Sequence, residues 1–178
     1  RIGGNDLDKS LSIAVFVPEL GLRTTYGKKN LPVPTAPYYD LSEWSKVNSV
    51  YTYANRKMIR EVLAEAHQPV LYERLLELVE NEKGHELLGL AEQAKIDLTS
   101  TPAIISQLRF LSGNPQLTIC REKFEQSINA DLERISQTAD ECLKSAGIKA
   151  SQIELVILTG GSTFVPAVQS ALCRCFPQ

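Results

Sequence analysis

Near the end of the chain an apolar run, Ile153-Glu154-Leu155-Val156-Ile157-Leu158, turns through Thr159-Gly160-Gly161-Ser162-Thr163 into a last helical segment. The run predicts a strand buried on both faces. Pro166 stands in the first turn of the predicted helix, with Val168, Leu172 and Phe176 inward. Two glycines let a ligand approach the backbone without a Cβ in the way. The helix that follows offers unpaired N–H groups and a positive dipole end, which suit a phosphate or a ribose oxygen. Taken alone, the unit serves equally well as a turn joining strand to helix.

Two further patterns carry chemistry. Glu92, Lys95 and Thr99 stand three and four residues apart and share one helical face. A carboxylate beside an ammonium can hold the two hydroxyls of a ribose. On spacing alone, a solvated ion pair worth ~0.3 kcal/mol accounts for them better. Gly3-Gly4-Asn5-Asp6-Leu7-Asp8 runs glycines into a helix start, with Asn5 or Asp6 as the expected cap and Asp8 in the first turn.

Between these patterns the periodicity predicts mostly helix. A first helix ends at Pro18 and Gly21, and residues 27–40, with Pro32, Pro34 and Pro37, predict an irregular loop. Leu41 to Trp44 predicts a short helix anchored to the core by the tryptophan. Helices are expected over 55–67 and 69–81, with Gly84 breaking the second, and another over 87–98. Ala103–Leu111 and Gln116–Cys120 read as a hairpin around Ser112-Gly113-Asn114-Pro115. One long amphipathic helix then runs from Phe124 to its stop at Gly147.

Composition removes several classes of function. The net charge of −2 gives no reason to expect nucleic acid or an anionic membrane as partner. No apolar run approaches the ~20 residues of a membrane span. Cys120, Cys142, Cys173 and Cys175 form no C-x-x-C pair, which argues against zinc and for free thiols in a reducing cytoplasm. The start at Arg1 within a glycine motif is best explained by a piece of a longer protein.

In order and spacing these motifs resemble the nucleotide-binding domain of the DnaK-type heat-shock chaperones, within the actin-like ATPase superfamily. Gly3-Gly4-x-Asp6-x-Asp8 is similar to the family's Gly-Gly-x-Asp-x-Asp, and Glu92-x-x-Lys95 to its adenosine motif. Leu117 to Glu125 resembles the family's strand and Thr-Arg-x-x-Phe-Glu helix, and Gly160-Gly161-Ser162-Thr163-x-x-Pro166 its Gly-Gly-Ser-Thr-x-x-Pro. The likeness covers 85–176 and 2–8, and is absent over 9–84. The loop from Leu31 to Trp44 resembles the divergent YegD-type branch.

The resemblance implies an α/β fold: a helix-rich actin-like ATPase lobe, with an incomplete ribonuclease H-like inner part and an outer helical subdomain carrying a β-hairpin. Residues 9–117 would form the outer subdomain with its enlarged insertion, and 1–8 with 118–178 part of the inner one. Glu92 and Lys95 would bind ribose hydroxyls, and Thr99 would approach the adenine edge. Gly160, Gly161 and Ser162 would pass beneath nucleoside and phosphates, with Gly3 and Gly4 closing the far side. Ile96 and Phe164 stand where the family has two adenine-stacking arginines, and would stack by dispersion instead.

The implied function is an ATP/ADP-binding lobe of a chaperone-type ATPase, cytoplasmic, with nucleotide and a client or co-chaperone as partners. The family's phosphate loops and metal-associated aspartates have no counterpart in this sequence, so Mg²⁺ and phosphoryl chemistry belong to the full-length protein and no catalytic residue is expected here. The alternative is a protein-interaction module using the 9–84 insertion, with a vestigial nucleotide site. A doubly apolar strand at 153–158 lacking its preceding partners predicts self-association.

Overall fold

The computed structural model describes residues 2–176. Helix α1 (Gly4–Leu11) starts on Gly3, whose N–H donates to the Asp6 carboxylate at 2.7 Å. The cap therefore falls earlier than Asn5 or Asp6, and Asp6 serves from the third helical position. Leu7 and Leu11 turn inward, and the chain continues through a π turn (Ser12–Phe16) and a 3₁₀ turn (Val17–Leu20). Gly21 ends this run at φ +103°, where a Cβ would stand 2.9 Å from the Tyr72 ring.

Residues 27–40 are more regular than the proline count predicts. A short hairpin pairs β1 (Thr25–Tyr26) with β2 (Leu31–Pro32), and α2 (Ala36–Leu41) follows. Pro37 lies in the first turn of α2, where its missing N–H costs nothing. Residues 41–44 do not form a separate helix. Leu41 ends α2, and Trp44 is 38% exposed, tilted against His85 at 5.9 Å between ring centroids. Tyr38 and Leu41, rather than the tryptophan, fill the core at this point.

Three helices form the bulk. In α3 (Tyr53–Leu63) the Thr52 hydroxyl caps by accepting the Asn55 N–H, and Ile59 and Val62 point inward. Helix α4 (Pro69–Glu80) packs on α3 and buries Tyr72, Leu75, Leu78 and Val79. Helix α5 (Gly84–Ser100) buries Leu87, Leu88, Ala91, Ala94 and Leu98 at helical spacing. Gly84 opens α5 rather than breaking α4. Its missing side chain lets the helix start press against Val47 and Tyr51, whose hydroxyl accepts the Gly84 N–H at 2.9 Å.

The predicted hairpin is present as β3 (Ala103–Gln107) and β4 (Gln116–Cys120), in antiparallel register from Ala103↔Cys120 to Gln107↔Gln116. β3 is shorter than expected, because Leu108 and Leu111 fold beneath the tip as a buried turn. The Glu77 carboxylate accepts from the Ser112 N–H and hydroxyl, tying that tip to α4. The single long helix expected after it is two: α6 (Arg121–Ser127) and α7 (Asn129–Ala146). They divide at Ile128, which is buried and off helical geometry at φ −100°, ψ 4°. Gly147, at φ +68°, closes α7 in the left-handed conformation expected of it.

The strand predicted at 153–158 does not form. Leu155 and Ile157 are each 74% exposed, and no strand among the described residues pairs with the segment. A strand needs a neighbour for its N–H and C=O groups, and burial on two faces needs a layer on each. The chain then enters a 3₁₀ turn (Gly161–Phe164) and α8 (Pro166–Cys175), which packs on α7 and turns Val168 and Ala171 inward. All four cysteines are free thiols.

Replacing Gly84 by Ala forces a methyl into Val47 and the Tyr51 hydroxyl. Urea denaturation should show a loss of roughly 1–3 kcal/mol, the usual cost of overpacking.

Candidate functional site

Helix α5 presents two faces. Its leucines and alanines enter the core, while Glu92 and Ile96 stay exposed and Thr99 half-buried on the side toward α1 and the glycine elbow. Lys95 lies between the two faces and is only 8% exposed. A lysine so buried requires a counter-charge. Asp8 of α1 supplies it. Its Oδ2 accepts from Lys95 Nζ at 3.0 Å, and Oδ1 lies 2.8 Å from the same nitrogen, off hydrogen-bonding angle and without another partner. The short-range Glu92–Lys95 pair that the spacing favours is not formed; Lys95 takes the aspartate from another helix instead.

Burial raises the Asp8 carboxyl above its ordinary value of 3.8. Its hydrogen bond and charge contact with Lys95 pull it back down, and the nearby Glu92 charge pushes it up. One carboxylate, Asp8, thus holds the ammonium, and the Glu92 charge acts on that carboxylate from nearby.

The elbow is shaped by Gly160 at φ +93°, a conformation open to glycine and strained for other residues. Its carbonyl accepts both the N–H and the hydroxyl of Thr163, at 3.1 and 2.7 Å, so the turn is held by its own threonine. Gly161 faces open space. Where the elbow meets α1, a Cβ on Gly4 would stand 3.3 Å from Ser162 Oγ and 3.4 Å from Lys95 Nζ. Three segments far apart in sequence therefore converge at Gly4, where an added Cβ would fit tightly against two side-chain ends.

A cleft of about 410 Å³ lies at this junction. Glu92, Lys95, Ile96 and Thr99 form one wall, Gly161, Ser162, Phe164 and Val165 the other, and Gly4 with Asn5 the end. Gly3 and Gly160 flank it without lining it. Asn5 and Val165 were not among the residues expected from sequence, though each adjoins one that was. Phe164 is 69% and Ile96 49% exposed, so each wall offers the opening an apolar side chain. The Thr99 hydroxyl donates to the Ile96 carbonyl at 2.7 Å, which leaves its oxygen to the cleft as an acceptor.

A wider groove of about 750 Å³ runs between α5 and the β3–β4 hairpin, past Leu90, Ile105 and Phe110. It lacks a buried charge. Among the described residues no cluster of His, Cys, Asp or Glu is fit to hold a metal ion, and no helix is long and apolar enough to cross a membrane.

Residues 67–178, which include α5 and the elbow, match the family described as Hsp70 protein. The chain belongs to the Hsp70 family. Among its relatives, the chaperone protein DnaK of Thermus thermophilus is 38% identical over 94 residues, covering 48% of this chain and 15% of that protein. The mitochondrial heat shock 70 kDa proteins of Solanum tuberosum and Pisum sativum are 36% and 37% identical over 92 residues, covering 48% of this chain and 14% of each. The match thus spans about a seventh of the length of these Hsp70 relatives. Hsp70 membership agrees with a helix-rich chain carrying two small antiparallel sheets.

Lys95→Met leaves Asp8 buried without its cation. Urea denaturation at neutral pH should show a loss of about 3–5 kcal/mol. The sign with pH follows from the raised carboxyl. Its ionisation works against the fold, so stability associated with Asp8 is fullest below 3.8 and falls as pH rises through the raised value. The penalty of Lys95→Met should therefore shrink on acidification, as Asp8 takes up a proton.

Proposed function

We propose that this chain is the nucleoside-gripping part of an ATP- and ADP-binding chaperone of the Hsp70 family. The observation that carries the reading is the shared cleft: the Glu92/Lys95 face of α5, the glycine elbow and Gly4 all border one space. Its volume lies within the range of small-molecule sites, roughly 300–1,000 Å³. Its chemistry suits a nucleoside, with a carboxylate and an ammonium for the ribose diol, apolar side chains for the base and a glycine turn for the rest.

In this reading Glu92 accepts from a ribose hydroxyl and Lys95 donates to one. Thr99 receives the amino group at the adenine edge. Ile96 and Phe164 close on the two faces of the base, by dispersion and stacking rather than through a cation. Gly160, Gly161 and Ser162 run beneath the nucleoside and its phosphates, and Gly3 and Gly4 border the far end. Mg²⁺ supplies charge neutralisation of the phosphates when bound with nucleotide. Its ligands and the phosphate loops lie outside this sequence, so the chain binds and orients without transferring phosphate. No step of hydrolysis is assigned to these residues.

The proposal extends to organisation. Residues 9–117 make an outer subdomain with an enlarged insertion, and 1–8 with 118–178 contribute to an inner one, nearest in kind to the YegD-type branch. The parent protein is an ATPase with client or co-chaperone partners in a reducing, cytoplasmic setting. The exposed apolar side chains of 153–158 are offered to a strand from elsewhere in the parent or from another copy. A second reading has one observation in its favour: the family match begins at residue 67, so it takes in 67–84, where no likeness was expected, and leaves 9–66 of the insertion unmatched. On that reading the 9–84 insertion docks a protein partner and the cleft is vestigial.

Calorimetric titration with ADP and ATP separates the two. Measurable binding supports the nucleotide site; none at millimolar nucleotide favours the interaction module. Phe164→Ala should weaken ADP binding about tenfold, the usual worth of one base-stacking ring. Because Phe164 is exposed, the same change should leave the melting temperature without nucleotide unaltered.

A further inference from the structure

A lysine three residues after a glutamate on the same helix ordinarily leans toward it. In this cleft it does not. Lys95 reaches across to Asp8, which is 2% exposed and stands 87 positions away in sequence. The consequence is that Glu92 keeps its carboxylate for the cleft. We propose that Asp8 is a positioning residue for the sugar of a bound nucleotide: from beneath the cleft it holds the Lys95 ammonium in place, so that Lys95 donates and Glu92 accepts toward a vicinal diol. The proposal deepens the nucleotide reading above and rests on it.

The geometry supports each part. An ammonium has three N–H donors, and Asp8 Oδ2 takes one of them at 3.0 Å. The nitrogen sits 3.4 Å from where a Gly4 Cβ would be, and Ser162 Oγ sits 3.3 Å from the same point. The ammonium thus lies at the junction of α1 and the elbow, against Gly4. A lysine side chain has four rotatable bonds, and without a fixed anion its head would move toward water or toward Glu92. Either move would spoil a donor–acceptor pair matched to two adjacent hydroxyls. Both carboxylate oxygens lie within 3.0 Å of Nζ, and Oδ1 is buried with no other partner, so the whole carboxylate is committed to this one ammonium.

The test uses the full chain and three probes: ADP, 2′-deoxy-ADP and 3′-deoxy-ADP, titrated calorimetrically into wild type, Asp8→Asn and Asp8→Glu. Wild type should prefer ADP over either deoxy analogue by about tenfold, the worth of one charge-assisted hydrogen bond. Asp8→Asn should bind ADP about tenfold more weakly and the deoxy analogues nearly as before, so that the preference for an intact diol collapses. A merely structural role would weaken all three alike. A uniform loss, a preserved preference in Asp8→Asn, or a wild type indifferent to the missing hydroxyl overturns the positioning role and leaves the nucleotide site standing. A wild type that binds no nucleotide overturns both. Should Asp8→Asn lack a folded circular dichroism spectrum, Asp8→Glu carries the test. It keeps the charge, displaces the ammonium by one methylene, and should show the same collapse.

Discussion

The buried contact between Asp8 and Lys95 ties the start of the chain to its central helix and sets an ammonium at the edge of the cleft. Removing two charges from water is expensive, and their mutual attraction recovers that cost only with good geometry. An apolar pair of similar volume would hold α1 on α5 at least as well. What an apolar pair cannot do is end in an ammonium at the floor of an open cleft. The neighbouring contacts do not need the charge: Leu7 and Leu11 already seal α1 against the core. The ion pair is therefore best understood through what it presents to the cleft, with cohesion of the fold left to the leucines around it.

Local rules carried the reading of the sequence a long way in the helices. Leucine and alanine spacing located α4 and α5, and the Gly113 turn with alternating Leu117 and Ile119 located the hairpin. Where the reading failed, the missing information was non-local. Gly84 reads as a breaker until Val47 and Tyr51 are seen pressing on it, at which point it is the residue that lets α5 begin. Prolines 32, 34 and 37 suggest an irregular loop, yet Pro37 fits the first turn of α2 without loss of a hydrogen bond. Ile153–Leu158 has the composition of a central strand, but composition states only what a segment would do with partners.

The same distinction divides the cleft. Glu92, Lys95 and Thr99 share a helical face by simple spacing, and Gly160-Gly161 marks a close-approach turn by residue type alone. That these two elements border one space cannot be read from either. The role of Asp8 was hidden more completely. In sequence it is one more acidic residue in a helix start, where a favourable dipole contact explains it well enough. Its partner lies 87 residues on, and no periodicity spans that distance. Gly4 was legible as part of a motif, though its closeness to a lysine and a serine from two other segments is purely tertiary.

The two walls of the cleft are mounted differently. The α5 wall is embedded in the leucine-rich body through Leu87, Leu88 and Leu98. The elbow wall hangs between the exposed segment 153–158 and α8, and α8 leans chiefly on α7, itself largely exposed. Fewer apolar side chains are thus buried on the elbow side, and local opening costs least where fewest apolar groups are buried. A ligand gripping both walls adds cohesion where the chain has least of its own, and it does so in proportion to RT ln(1 + [L]/Kd). Nucleotide occupancy would then act on the placement of the elbow and α8 more than on the body. In a site built from a rigid helix and a loosely held glycine turn, the turn is the part able to respond to what is bound.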